Sequence, residues 1–181
     1  DITPRKYAEE FLKLQRDLAQ ALSAATSLDD AMALCLDTAM KGSKMDSGGV
    51  YIMDHEKKGL RLVCHRGLGE EFIGNVSFYP AGTIPFQLSM EGKPLYRMFE
   101  EMDGALKEIS EHEGLKALAA IPIVHKGDIV ACMNVSSHTR EEIPAAARNI
   151  LESIGAQMGD VTIRLETQEA LRKSEEQFRK M

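Results

Sequence analysis

The fold is decided by the stretch LKALAAIPIVHKGDIVACMNVS, residues 115–136. It contains two apolar runs with the length of β-strands, Leu115 to Val124 and Ile129 to Ser136. The tetrapeptide between them, residues 125–128, is polar and contains a glycine, which favours a tight turn. We therefore predict an antiparallel hairpin here.

A second hairpin is predicted upstream. Residues 49–53 and 60–65 form two short apolar runs, and the turn between them is rich in charge and glycine. An irregular middle segment separates the two hairpins, with short predicted elements at 70–73, 76–79, 82–90, 95–98 and 102–113. Loops above a rigid sheet are free to vary, so this segment is where a small molecule would bind.

Helices are predicted at both ends of the chain. Thr3 and Pro4 can begin the first helix, Ser27 can cap a second, and a long helix follows residue 144. Apolar residues of the first helix are spaced 4-3-4-3, as in a coiled coil, although an amphipathic helix packed on its own domain is the alternative. We expect a parallel dimer through eight seam residues: Tyr7, Phe11, Leu14, Leu18, Ile154, Met158, Val161 and Leu165.

Antiparallel hairpins combined with terminal helices predict an α+β fold, in which these helices cover one face of a central antiparallel sheet. Gly155 and Gly159 lie four residues apart in the long helix, which favours close packing against the first helix or a second protomer.

Composition excludes several classes of function. The net charge is −6 and the 22 basic residues are scattered, which argues against a nucleic-acid-binding surface. No apolar run approaches the roughly 18 residues of a membrane span, so we expect no direct membrane contact. Three cysteines in apolar stretches suit a reducing compartment, which predicts a cytoplasmic protein.

Several segments together resemble the GAF domain family over residues 25–160. They are GGVYIMD (48–54), LRLVCHRGL (60–68), the helix from 82 to the GKPL step (92–95), AAIPI (119–123) and GDIVACMNV (127–135). The resemblance implies a sensory domain that binds a small molecule and belongs to a multi-domain signalling protein of the histidine kinase type. The sequence contains no Gly-x-Ser-x-Gly, Walker-type, His-Glu-x-x-His or Cys-x-x-Cys motif, so we expect that this fragment is not itself an enzyme.

The last residues carry a second resemblance. Residues 168–179, QEALRKSEEQFR, are similar to the helix that leads into a PAS domain. The predicted organisation is therefore a dimerisation helix (1–24), the GAF domain (25–160) and a signalling helix (161–181) that leads to a downstream PAS or kinase module. A ligand-free dimerisation scaffold and the regulatory domain of a transcription factor remain alternatives.

Specialised members of the family fit less well. Reductases of free methionine sulfoxide place cysteines in the middle segment, and residues 76–113 contain none. Bilin attachment would use a cysteine of that segment, whereas the Cys64-His65 pair falls on a predicted strand. The signature of cyclic-nucleotide-binding members is not traceable, and the five histidines are too dispersed to predict a metal site.

The cofactor, if any, therefore stays unknown, and the predicted partner is an unidentified small molecule. The inward-facing strand residues and the middle segment provide ten candidate ligand-binding residues: Tyr51, Met53, Phe72, Phe78, Tyr79, Ile84, Phe86, Ile121, Met133 and Asn134.

Overall fold

The computed structural model describes residues 3–181. Six strands in this range form one antiparallel sheet: β1 (Ser47–Asp54), β2 (Gly59–Arg66), β3 (Phe78–Pro80), β4 (Leu95–Met98), β5 (Ala117–His125) and β6 (Asp128–Ser137). Their order across the sheet is β3-β2-β1-β6-β5-β4. The two predicted hairpins, β1–β2 and β5–β6, are thus joined by pairing of β1 with β6, and the predicted α+β fold is confirmed.

The helices divide into two layers. They are α1 (Pro4–Ala24), α2 (Leu28–Ser43), α3 (Glu70–Val76), α4 (Ile84–Met90), α5 (Ala105–Glu113) and α6 (Ala145–Arg179). The first two begin as predicted, because the Thr3 hydroxyl accepts from the Lys6 N–H and the Ser27 hydroxyl from the Asp30 N–H. Helices α1, α2 and α6 share the main core with one face of the sheet, and α3, α4 and α5 lie over the other.

Strand β6 shows how the two faces are separated. Ala131, Met133 and Val135 are fully buried in the main core beneath the long helices. Cys132 and Asn134 point to the other side, because successive side chains of a strand alternate. The sheet therefore has one face committed to the core and a second face free for another task.

Helix α6 sits unusually close to β5, and its two glycines make this possible. A Cβ atom added at Gly155 would lie 2.7 Å from the Ile121 Cγ2 atom, and one at Gly159 would come to 2.1 Å from the backbone oxygen of Val124. The glycine pair therefore packs against the sheet, which corrects the expectation of contact with α1 or a second protomer.

The eight seam residues pack against other residues of the same chain. Leu18, Ile154, Met158 and Leu165 are at most 3% exposed in the main core, and the other four pack against it: Tyr7, Phe11, Leu14 and Val161. The four residues in the core are therefore not available for a seam between two copies, which corrects the expectation for them. For the four half-buried residues it stays a prediction. A narrow apolar stripe serves intramolecular packing as well as it would serve a dimer.

Among the described residues, none of the helices combines the length and apolarity that crossing a lipid bilayer requires.

The close approach of α6 to β5 yields a stability prediction. We expect Gly159→Ala to lower the free energy of unfolding by about 2–3 kcal/mol, because the added methyl meets the β5 backbone rather than a movable side chain. Gly74→Ala in α3 is the matched control, since nothing lies within 4 Å of its added Cβ. That change should raise stability by about 0.5–1 kcal/mol. Urea denaturation measures both, and equal effects of the two substitutions would refute the close contact.

Candidate functional site

A cavity lies between the outer face of the sheet and the layer of α3, α4 and α5. Its volume is about 60 Å³. All six strands contribute to its floor: Gly48, Gly49, Tyr51, Leu62, Tyr79, Leu95, Leu118, Ala120, Asn134 and Ser136. Its roof and walls come from the middle segment and the short link between α5 and β5: Leu68, Phe72, Pro85, Leu88, Ser89, Phe99, Met102, Leu106, Ser110 and Leu115.

Two stacked tyrosines form one end of the cavity. The ring centroids of Tyr51 and Tyr79 lie 4.9 Å apart at an interplanar angle of 23°. The Tyr51 hydroxyl donates to the carbonyl oxygen of Val76 at 2.8 Å, which ties β1 to the end of α3. Burial raises the pKa of both tyrosines above their ordinary value, so both hydroxyls stay protonated and neutral.

Two polar side chains of the lining have unused hydrogen-bonding capacity. Ser110 is fully buried, and its hydroxyl has no hydrogen-bond partner among the described residues. The Asn134 Oδ1 atom accepts from the Cys132 thiol at 3.3 Å, whereas no residue between 3 and 181 bonds to its Nδ2. Buried polar groups of native proteins are normally hydrogen-bonded, so the Ser110 hydroxyl is an exception, and the half-buried Asn134 adds free donors to the same lining.

The lining residues carry no formal charge at neutral pH, and none of them is a cysteine. Cys132 lies just below the cavity, and burial raises the pKa of its thiol to about 11, which keeps it protonated. Nowhere in residues 3–181 do three His, Cys, Asp or Glu side chains gather so that they could hold a metal ion.

The structure brings four of the ten predicted ligand-binding residues to the cavity: Tyr51, Phe72, Tyr79 and Asn134. Met53 and Phe86 lie beside it, where they pack against a small buried cluster that includes Leu60 and Cys132.

The remaining four predicted residues lie elsewhere. Ile121 and Met133 are buried in the main core on the opposite face, because they alternate with Ala120 and Asn134 along their strands. Phe78 packs over Gly59, where an added Cβ would lie 2.5 Å from its Cζ atom, and Ile84 is 71% exposed. For these four residues, the prediction of a place in the cavity is wrong.

Helix α5 supplies the part of the cavity that sequence reasoning missed. Met102, Leu106 and Ser110 all line the cavity and are spaced by four residues. That spacing places them on one side of a helical segment, although Met102 itself precedes the regular helix. Their regular spacing could have indicated a common apolar helix face, but the many acidic residues around them obscured it.

The C-terminal end of α5 is fastened to the sheet by a polar cluster. The Glu113 carboxylate accepts from the Gly69 N–H at 2.7 Å, and its Oε1 lies 3.7 Å from the His138 Nε2. The other ring nitrogen of His138 lies 2.8 Å from the Asp46 carboxylate, which also accepts from the His138 backbone N–H at 3.0 Å. This cluster holds the roof of the cavity to β6 and to the start of α3.

Comparison with known families assigns the fold. The GAF domain model matches residues 25–161. The chain belongs to the GAF family. No curated protein sequence matches it. The GAF match leaves out all of α1 and the part of α6 that follows residue 161.

Solved structures similar to this GAF domain share its fold at low identity. The GAF domain of a phosphoenolpyruvate-protein phosphotransferase from Coxiella burnetii has a TM-score of 0.74 at 15% identity, over 90% of this chain and 98% of that one. A domain assigned to a two-component sensor histidine kinase of Sinorhizobium meliloti has a TM-score of 0.69 at 19% identity, over 82% of this chain and 99% of that one. The free methionine-R-sulfoxide reductase of Neisseria meningitidis has a TM-score of 0.71 at 11% identity, over 87% of this chain and 90% of that one.

The polar cluster at the end of α5 predicts a pH-dependent stability. Partial burial alone would raise the pKa of Asp46, but hydrogen bonds from His138 outweigh it, and the pKa lies below its ordinary value. The stabilisation is therefore present above the ordinary pKa near 4 and is lost as the pH falls through the lowered value. We expect Asp46→Asn to lower the free energy of unfolding by about 1 kcal/mol at pH 7, and the difference to shrink at about pH 3.

Asp37→Asn is the matched control, because Asp37 forms an exposed ion pair with Arg66 at 3.0 Å. Loss of this ion pair should change the free energy of unfolding by less than about 0.5 kcal/mol at any pH. Denaturation curves at several pH values measure both variants. A constant difference between wild type and Asp46→Asn down to about pH 3 would contradict the role of the carboxylate.

Proposed function

We propose that the chain is the sensory domain of a multi-domain signalling protein, and that its ligand is a small molecule held in the cavity above the sheet. The observation that carries this proposal is the combination of an apolar cavity with two unused polar groups, at Ser110 and Asn134. An apolar pocket with a few convergent polar groups is the usual form of a small-molecule site. The similarity to a domain assigned to a sensor histidine kinase supports the same assignment.

Strand β5 would transmit the effect of ligand binding to helix α6. Leu118 and Ala120 of this strand line the cavity, whereas Ile121 and Val124 contact α6 at its two glycines. A ligand that binds one position of β5 better than another shifts the population of α6 positions by the difference between the two binding free energies. Because α6 continues past the core as a helix that is exposed from residue 167 onward, the shift would be carried away from the domain.

A second copy of the chain is the proposed partner of that exposed helix. Leu171 and Phe178 are 59% and 76% exposed, and they stand seven residues apart on the same helix face. Apolar residues at heptad spacing favour a coiled coil. We place the parallel dimer here rather than at the eight seam residues, with a PAS or kinase module following in the cytoplasm.

The proposed domain senses and does not catalyse. Its cavity lacks a cysteine in the lining, and the neighbouring Cys132 thiol is buried and protonated. Histidine kinase activity would belong to another part of the parent protein.

The small volume of the cavity favours one other candidate function, that of a ligand-free scaffold. The side chains of Tyr51, Phe72 and Tyr79 already fill part of the space above the sheet. A scaffold would use the fold only to hold α1 and α6 in place. Experiments on cavity occupancy separate the two functions.

Filling the cavity tests the sensory function. We expect small uncharged compounds that raise the melting temperature of the wild type by several degrees to lose this effect in Ala120→Leu, because the larger side chain occupies their space. Ala156→Leu makes the same change at an exposed position of α6 and should preserve the effect. A thermal-shift screen measures all three proteins. No stabilising compound for the wild type, or stabilisation that survives Ala120→Leu, would favour the scaffold.

Light scattering tests the dimer. We expect Leu171→Asp combined with Phe178→Asp to give the mass of a monomer with an unchanged melting temperature, because both side chains are exposed. The control, Lys173→Gln with Lys180→Gln, changes the net charge equally on another face of the helix and should remain dimeric. A dimer that withstands the aspartate pair, or a wild type that is already monomeric, would refute this interface.

A further inference from the structure

We propose that the ligand is an uncharged molecule with a single aromatic ring and one hydroxyl or carbonyl oxygen, which hydrogen-bonds to Ser110 or Asn134. This inference rests on the proposed function and specifies the chemical class that the same cavity takes.

The absence of charge in the lining excludes ionic ligands. Every lining residue within the described chain is apolar, a serine, an asparagine or a tyrosine, and the two tyrosine hydroxyls are kept neutral by burial. A carboxylate, phosphate or ammonium placed here would lose its hydration without gaining a counter-ion, which is strongly unfavourable. The ligand therefore enters in an uncharged form.

The size and walls of the cavity indicate a single ring. The cavity volume of about 60 Å³ is smaller than the roughly 150 Å³ in which one benzene molecule binds, so the space favours a ligand of no more than one ring. Tyr51, Phe72, Tyr79 and Phe99 surround this space with ring faces and edges. Aromatic rings pair favourably in stacked and edge-to-face arrangements.

The unused polar groups require an oxygen on the ligand. The Ser110 hydroxyl is fully buried without a partner in residues 3–181, and the Asn134 Nδ2 provides two further N–H donors. A buried donor without an acceptor costs free energy that a ligand oxygen would restore. A plain hydrocarbon of the same shape would leave this cost in place and would bind more weakly.

Three probes of similar size separate these requirements at pH 7. Phenol has the ring and the oxygen, toluene has only the ring, and benzoate adds a negative charge. We expect titrations followed by amide NMR shifts or calorimetry to rank phenol first, toluene about five- to tenfold weaker, and benzoate without measurable binding.

Substitution of Ser110 identifies the hydrogen bond. Ser110→Ala should weaken phenol binding about three- to tenfold and leave toluene binding unchanged. Ser89→Ala is the matched control, because Ser89 also lines the cavity but its hydroxyl already donates to the Pro85 carbonyl at 2.9 Å. It should change neither affinity. The melting temperature of unliganded Ser110→Ala should not fall, since the hydroxyl removed has no partner.

Other outcomes overturn the inference in distinguishable ways. Benzoate binding at least as tightly as phenol, or equal affinities of wild type and Ser110→Ala for phenol, would exclude the proposed ligand class. If a charged molecule is then found in the cavity, the sensory function stands and only the class is wrong. If no probe binds and no compound stabilises the wild type in a manner sensitive to Ala120→Leu, both proposals fall.

Discussion

The structure depends on the alternation of side chains along its central strands. In β6, Met133 faces the long helices while its neighbour Asn134 faces the cavity, and a slip of one residue would exchange them. The inner face is apolar and fully covered, so it fixes the register of the sheet. The outer face is then free to combine apolar side chains with a few polar ones. The inner face stabilises the domain, and the outer face is available for a ligand.

Strand β5 connects these two faces. Its outward side chains, such as Ala120, line the cavity, and its inward side chains and backbone lie directly against the glycines of α6. The roof of the cavity is attached separately, through Glu113, His138 and Asp46.

Sequence patterns predicted the framework well, because short-range rules govern it. Both hairpins, the caps at Thr3 and Ser27 and the α+β fold follow from local periodicity and turn chemistry. The site was predicted less well. Adjacent Met133 and Asn134 cannot both face one cavity, and the α5 side of it depends on how the middle segment folds back over the sheet. The seam residues show the remaining limit: an apolar stripe does not reveal whether its partner belongs to the same chain.

The central claim is that the outer face of the sheet holds a small molecule. The most direct test compares the native and denatured masses of the wild-type protein purified gently from the cells that produce it. A native mass that exceeds the denatured polypeptide mass by one small, uncharged molecule per chain is the result that the account predicts. Native and denatured masses that agree, in protein whose cavity also rejects every added compound, would contradict it and would leave the domain a scaffold for its helices.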